Sequence, residues 1–183
     1  IKEEVMFNDL REFISKAEEV GEYRVVEGAD WNEEIGAIGD LQSQLPESPL
    51  LVFDKIKGYP PGYRVATNLA TSPKRIALVF GLPQEAKGIE LVRAFRDKVK
   101  EELNPIPPVE VDTGPVKENI LVGDDIDLFK FPTPKWHELD GGRYIGTASA
   151  VVTRDPDDGR INLGTYRVQI QDKSTATVSL AQG

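Results

Sequence analysis

Two side chains suited to binding an ionic ligand lie near the end of the chain, in the run Asn162-Leu-Gly-Thr-Tyr-Arg167. The Asn162 amide offers a neutral oxygen to a cation or to a phosphate-bound metal. The Arg167 guanidinium offers a permanent positive charge and a planar set of donors that suit a carboxylate or a phosphate. These residue types fit an anion site with an associated cation, and they fit equally an ordinary polar hairpin with one solvated arginine.

The sequence around this run predicts an antiparallel meander of three strands. Residues 144–153 are rich in β-branched and small side chains, and residues 161–170 and 175–180 resume the extended pattern after a turn at 155–159. Asn162 and Arg167 are five positions apart, so their side chains leave opposite faces of an ideal strand. A bulge or bend at Gly164 would allow both to face one ligand.

The first part of the chain alternates predicted helices with short strands, at 23–26, 50–53 and 63–67. Asn8 or Asp9 can cap a first helix, and Ser72 followed by Pro73 is typical of a helix start. A cap at Asp30 predicts another helix, with inward residues Ile35, Ile38 and Leu41. The longest predicted helix covers residues 85–103, and its expected inward face consists of Ile89, Val92, Phe95, Val99 and Leu103.

A proline-rich break, Asn104-Pro-Ile-Pro-Pro108, divides the predicted organisation. We expect an α+β fold class, with a small mixed α/β subdomain over residues 1–108 and the start of a barrel-like antiparallel sheet over residues 109–183. Residues 109–128 alternate apolar side chains with acids.

Composition excludes several function classes. The formal net charge of −9 argues against a duplex nucleic-acid binder, and the absence of cysteine excludes disulfides and thiolate metal sites. No apolar run suits a membrane span and no signal-peptide pattern begins the sequence, so we expect no membrane association and a cytoplasmic protein. The single histidine, His137, is expected to have a structural or surface role, and the acids at 124–127 and 155–158 are expected in turns.

Four motifs in the same order resemble the amino-terminal half of UbiD-type decarboxylases, which use prenylated flavin mononucleotide (prenylated FMN). They are Phe53-Asp-Lys-Ile-Lys-Gly-Tyr59, Asp140-Gly-Gly-Arg-Tyr-Ile-Gly-Thr147, Val152-Thr-Arg-Asp-Pro156 and Asn162-Leu-Gly-Thr-Tyr-Arg-Val-Gln169. The resemblance implies reversible, non-oxidative decarboxylation of an aromatic or α,β-unsaturated acid, with the second half of the chain belonging to a flavin-binding split β-barrel.

The same resemblance implies roles for particular residues. Asn162 would bind a divalent metal, usually Mn²⁺, that bridges to the flavin phosphate, with K⁺ as a second candidate ion. Arg167 would be catalytic beside the reactive ring and would also contact the cofactor. The other implied cofactor contacts are Thr147, Leu163, Gly164, Thr165 and Tyr166.

Family members continue well beyond the part that this sequence resembles. We therefore expect a truncated barrel, further metal and catalytic residues outside these 183 residues, an absent carboxy-terminal dimerisation domain, and no activity from the chain alone. The resemblance also implies a homo-oligomer at full length and a flavin prenyltransferase that supplies the cofactor. Two alternatives stay open, a flavin-binding reductase and a non-catalytic binding module.

Overall fold

The computed structural model describes residues 7–102 and 109–180 of the chain. In these two described ranges, four helices and six strands follow one another in a mixed α/β order, and three short 3₁₀ turns lie between α4 and β4. The elements are α1 (Leu10–Glu19), β1 (Tyr23–Glu27), α2 (Glu34–Ser43), β2 (Leu50–Asp54), β3 (Val65–Thr67), α3 (Pro73–Val79), α4 (Gly88–Glu102), β4 (Tyr144–Arg154), β5 (Ile161–Ile170) and β6 (Ala176–Val178).

The strands form two small sheets, with orders β1-β2-β3 and β4-β5-β6. The chain groups into two compact units: Ile1–Val26, Gly39–Val52 and Ala66–Ile120 in the first, and Glu27–Ile38, Phe53–Val65 and Leu121–Gly183 in the second. The second unit takes segments from both sides of residue 108, so the domain boundary expected there stays a prediction.

The core of the first unit is built on β2. Leu50 and Val52 are almost fully buried and pack with Phe13 and Ala17 of α1 and with Leu78 of α3. This burial explains why an apolar run of four residues, bounded by turn residues, forms a strand: both faces of β2 are covered. The strand expected at 50–53 is confirmed.

Helix starts followed the predicted caps at two positions. Asp9 accepts hydrogen bonds from the backbone N–H groups of Arg11 and Glu12 at the start of α1, and Ser72 accepts one from Arg75 N before Pro73 begins α3. These bonds satisfy donors that have no partner inside the helix.

The predicted inward face was partly right for α2, where Ile38 is half-buried, and wrong for α4. In α2, Ile35 is buried but Leu41 is 66% exposed, and the helix buries its glycines instead, because a Cβ on Gly36 would lie 1.9 Å from the Trp136 carbonyl oxygen. In α4, Leu91 packs against Ala77, Leu82 and Ala86, because that is the side that α3 and its following turn cover. The expected inward residues of α4 are exposed: Ile89, Val92, Phe95 and Val99. Leu103 lies outside the described residues.

Residues 109–128 contain no strand, although the barrel-like sheet was expected to begin at about residue 109. They contain 3₁₀ turns at Pro115–Lys117 and Gly123–Asp125, followed by a third at Leu128–Lys130. Val109 is 82% and Val116 89% exposed. Pro115 cannot donate to a strand partner, and Gly123 has a φ of 59°, so both favour turns over continuous pairing.

Arg75 organises the loops of the first unit. Its side chain is fully buried and its guanidinium donates to the carbonyl oxygens of Ser48 (2.6 Å), Leu69 (3.1 Å) and Asn68 (2.9 Å). It also forms an ion pair with Glu22 at 2.6 Å. Burial lowers the pKa of Arg75, and the Glu22 carboxylate acts in the opposite direction.

We expect Arg75→Met to lower the free energy of unfolding by about 3–5 kcal/mol, because Glu22 would lose its charge partner and the carbonyl oxygens of Ser48, Asn68 and Leu69 would lose the guanidinium donor inside the protein. Urea unfolding measures the loss. Arg11→Met is the matched control, because Arg11 is 85% exposed in its ion pair with Asp9, and it should change stability by less than about 0.5 kcal/mol. Equal effects of the two substitutions would show that the Arg75 contacts contribute nothing specific.

Candidate functional site

The predicted meander is present as the sheet β4-β5-β6. β4 and β5 are antiparallel, with Arg154 opposite Ile161 and Thr153 opposite Asn162, and β5 pairs antiparallel with β6. The turn between β4 and β5 is closed by Asp155, whose carboxylate accepts from the backbone N–H groups of the two following aspartates. The acids of this turn are therefore turn formers, as expected.

The turn between β5 and β6 is closed in the same way. The Asp172 carboxylate accepts hydrogen bonds from the backbone N–H groups of Ser174 and Thr175, both at 2.8 Å. The hydrogen bond from Ser174 N is the largest of several that lower the pKa of the Asp172 carboxyl. The Asp172 carboxylate therefore stays ionised in mildly acidic solution and keeps its hydrogen bonds to the turn.

The bulge that Gly164 would allow on β5 lies instead on the other strand, β4. The register shifts between Tyr144 and Gly146 and again between Gly146 and Ser149, so the extra residues belong to β4. Ala148 has a φ of 56°, which is consistent with a bulge. A Cβ on Gly146 would lie 2.7 Å from Val168 Cγ2, and this crowding explains why a residue without a side chain occupies the bulge. Thr147 lies exposed within this bulged segment.

Because β5 itself is regular, its side chains alternate between two faces. Asn162, Gly164 and Tyr166 share one face. The Tyr166 ring lies back over Gly164, where a Cβ would come within 2.4 Å of Cε2. The Asn162 amide nitrogen donates to the Tyr166 hydroxyl at 3.4 Å. The structure therefore brings Asn162 and Tyr166 together.

The opposite face of β5 carries Leu163, Thr165 and Arg167. All three are exposed, and Leu163 lies opposite Val152 of β4, with exposed fractions of 67% and 64%. A small apolar patch and a cation thus lie on the same face, with Thr165 between them, and together they suit a flat ring that carries an anionic substituent. The strand does not place Arg167 on the same face as Asn162.

One edge of β5 is open alongside this run. Among the described residues, β6 pairs only with residues 168–170, and Ser179 N donates to Arg167 O at 2.9 Å. Residues 162–166 therefore have β4 on one side and no described strand on the other. Since backbone groups on that side alternate with those facing β4, the peptide groups of Leu163 and Thr165 point to the open edge. A ligand along this edge can reach side chains of both faces.

No group of three or more His, Cys, Asp or Glu side chains that could hold a metal is present among residues 7–102 and 109–180. Asn162 is the predicted metal ligand and offers one neutral oxygen. The His137 ring is 61% exposed, with Nδ1 3.6 Å from Asp140 Oδ2, which agrees with a surface role.

Arg143 forms a cluster that sequence reasoning did not identify. Its guanidinium lies 4.2 Å from the centre of the Trp31 ring and also faces the rings of Tyr59 and Phe129. It donates to the Thr133 carbonyl oxygen at 2.7 Å, to the Phe131 carbonyl oxygen, and to the Tyr59 hydroxyl. Tyr59 and Arg143 belong to two of the four motifs named above. The occurrence of both motifs in this sequence was the only sign that the two residues could be in contact.

Family models match both parts of the chain. Residues 14–95 match the 3-octaprenyl-4-hydroxybenzoate carboxy-lyase N-terminal domain, and residues 108–183 match the Rift-related domain of the same carboxy-lyase. The chain belongs to the UbiD family. The resemblance inferred from four motifs is thereby confirmed.

Curated UbiD relatives include named decarboxylases. The chain is 38% identical to a phenolic acid decarboxylase of Sedimentibacter hydroxybenzoicus, over 92% of this chain and 36% of the relative. It is 34% identical to the pyrrole-2-carboxylic acid decarboxylase of Pseudomonas aeruginosa, over 91% of this chain and 35% of the relative. The chain thus spans about a third of the length of these relatives.

Solved UbiD structures share the fold. The closed form of the vanillic acid decarboxylase of S. hydroxybenzoicus matches with a TM-score of 0.83 and 32% identity, over 96% of this chain and 38% of that one. An evolved dimeric form of the UbiD-class enzyme HmfF from Pelotomaculum thermopropionicum, in complex with prenylated FMN, matches with a TM-score of 0.77 and 30% identity, over 96% of this chain and 39% of that one.

Within the described residues, no helix has both the length and the apolar character needed to cross a membrane.

We expect Arg143→Lys to lower the free energy of unfolding by about 2 kcal/mol, because an ammonium cannot stack on Trp31 while bonding to two carbonyl oxygens. Denaturation followed by tryptophan fluorescence measures the loss. Arg154→Lys, at the exposed end of β4, is the matched control and should change stability by less than about 0.5 kcal/mol. If both lysine variants unfolded at the same midpoint, the contacts of the Arg143 guanidinium would contribute nothing to stability.

Proposed function

We propose that the protein containing this chain catalyses the reversible, non-oxidative decarboxylation of an aromatic or α,β-unsaturated carboxylic acid with prenylated FMN. The observation that carries the proposal is the open-edged run from Asn162 to Arg167, in a chain similar to an enzyme in complex with prenylated FMN. Phenolic acid and pyrrole-2-carboxylic acid decarboxylases among the relatives support an aromatic acid as the substrate.

The residues of β5 fit such a cofactor in chemical type. An open strand edge offers peptide donors and acceptors to the rim of a flat heterocycle, and exposed Leu163 beside Val152 offers an apolar surface to its face. Leu163, Gly164, Thr165 and Tyr166 would hold the ring system, and Thr147 would approach it from the bulge of β4. The β5 residues match the cofactor in chemical type and are accessible to it. The described residues alone do not enclose a ring.

Decarboxylation leaves carbanion-like charge on the substrate, and prenylated FMN supplies the electron sink for that charge when bound. The role proposed for Arg167 follows from its planar, cationic guanidinium, which can bind a carboxylate through two parallel hydrogen bonds. Arg167 would orient the acid before carbon dioxide leaves. The exposed position of Arg167 leaves it accessible to a ligand along the open edge.

Asn162 would contribute one neutral oxygen to a metal that offsets the charge of the cofactor phosphate, with Mn²⁺ as the expected ion and K⁺ as the second candidate. A single amide oxygen binds such an ion weakly, so further ligands would come from other parts of the protein. We propose on this ground that residues 1–183 alone have no decarboxylase activity.

The proposal extends to organisation and partners. Residues 1–108 would form an α+β domain and residues 109–183 the beginning of a split β-barrel, supported by separate family models for 14–95 and 108–183. A homo-oligomer is supported by the dimeric form described for HmfF. A flavin prenyltransferase would supply the cofactor in the cytoplasm.

The test compares the whole natural polypeptide with residues 1–183, both purified from a host that makes prenylated FMN. We expect a flavin-like absorbance, bound Mn²⁺ and release of carbon dioxide from aromatic acids for the whole protein only. Arg167→Met should lower kcat/KM by at least about 100-fold while cofactor absorbance is retained. Arg154→Met, on the neighbouring strand, is the control and should keep both.

Two outcomes would contradict the proposal. Nicotinamide-dependent flavin reduction without decarboxylation would favour a flavin reductase, and a whole protein that binds neither flavin nor metal would favour a non-catalytic binding module. Decarboxylation by residues 1–183 with added cofactor would overturn the statement that this part is inactive alone.

A further inference from the structure

We propose that Tyr166 is a positioning residue that holds the Asn162 amide with its oxygen available to a bound divalent cation. The inference rests on the proposed metal role of Asn162. It assigns Tyr166 a task distinct from ring contact with the cofactor.

The first step is the reach of the Tyr166 side chain. Residues four apart on a strand have Cα atoms about 13 Å apart, at about 3.3 Å per residue, so two upright side chains do not meet. The Tyr166 hydroxyl nevertheless lies 3.4 Å from the Asn162 amide nitrogen. It does so because the phenol ring is laid along the strand toward Asn162.

The second step is the role of Gly164 between them. A Cβ at this position would lie 2.4 Å from Tyr166 Cε2 and 2.7 Å from both Cζ and the hydroxyl oxygen. Any side chain at position 164 would therefore displace the ring from its place over the strand. Gly164 is required here for space and not for a left-handed backbone, since it lies in regular β5 pairing opposite Val151.

The third step is the chemistry of the amide. An asparagine side chain has one oxygen that can bind a cation and one NH₂ group that cannot. When the oxygen binds a cation, the NH₂ group is left to donate, and the Tyr166 hydroxyl oxygen is in place to accept at 3.4 Å. Outer partners of this kind orient metal ligands, and their removal typically weakens metal binding about 10-fold or more.

A carboxylate at position 162 would not need this help, because its two oxygens are equivalent and it has no N–H group to satisfy. The effect of the Tyr166 hydroxyl on metal affinity should therefore depend on asparagine at 162. This dependence separates a positioning role from a general contribution of Tyr166 to folding, which would be the same for both residues.

The experiment uses the whole natural polypeptide with prenylated FMN bound, stripped of metal and titrated with Mn²⁺ while free Mn²⁺ is followed by electron paramagnetic resonance. We expect Tyr166→Phe to raise the Kd for Mn²⁺ about 10-fold. In an Asn162→Asp background the same change should alter Kd by no more than about twofold. Gly164→Ala should raise Kd in the Asn162 protein without a further increase when combined with Tyr166→Phe.

Tyr144→Phe removes a hydroxyl from the neighbouring strand and is the matched control, expected to leave Kd unchanged. Thermal melting of each variant identifies any that do not fold. An unchanged Kd for Tyr166→Phe, or the same increase in both backgrounds, overturns the positioning role and leaves the proposed function intact. If the unaltered cofactor-loaded protein binds no Mn²⁺, the metal role of Asn162 fails and the positioning role fails with it.

Discussion

The backbone pairing of β4 with β5 is the constraint on which the candidate site depends. With Thr153 opposite Asn162 and Val152 opposite Leu163, the register assigns every side chain of the run to one face or the other. A slip of one residue would exchange the two faces and place Asn162 where Leu163 now lies. The bulged residues of β4 absorb the irregularity, so β5 keeps its alternation from one end to the other. The chemistry proposed for this strand thus follows from backbone hydrogen bonds as much as from side chains.

Sequence signals were sufficient to predict features that depend only on neighbouring residues, such as helix caps and turns. Asp9 and Ser72 were recognised as caps because a side-chain oxygen two or three residues before an unpaired N–H needs nothing else to form its bond. The strands around Asp155 were recognised because β-branched residues flank a turn that the aspartate closes with its own carboxylate. The site residues themselves were named from resemblance, and their individual roles stay predictions.

Sequence reasoning failed where the outcome depends on a distant partner. Leu41 and Phe95 fit an apolar stripe equally well whether or not another element covers them, and the described structure leaves both exposed. A bulge was considered at Gly164 because glycine permits one there, but the register shifts between Tyr144 and Ser149 show that the extra residues lie on β4. The Arg143 cluster brings Arg143 together with Tyr59, more than 80 positions away, and rules based on periodicity or capping cannot predict such a contact.

The buried contacts of Arg75 bear on how this region can change during evolution. Three of its partners are backbone carbonyl oxygens, at Ser48, Asn68 and Leu69, and a carbonyl is present whatever the side chain. The bonds to Arg75 therefore place no demand on the side chains at these positions, although Asn68 has a φ of 57°, which favours asparagine or glycine, and its side chain donates to the Gly39 carbonyl oxygen. Glu22 is different, because its carboxylate is the charge partner at 2.6 Å. Loss of either residue leaves the other without its charge partner. Lineages that lack the ion pair should therefore have replaced both residues together, which gives a correlated change at two positions 53 apart.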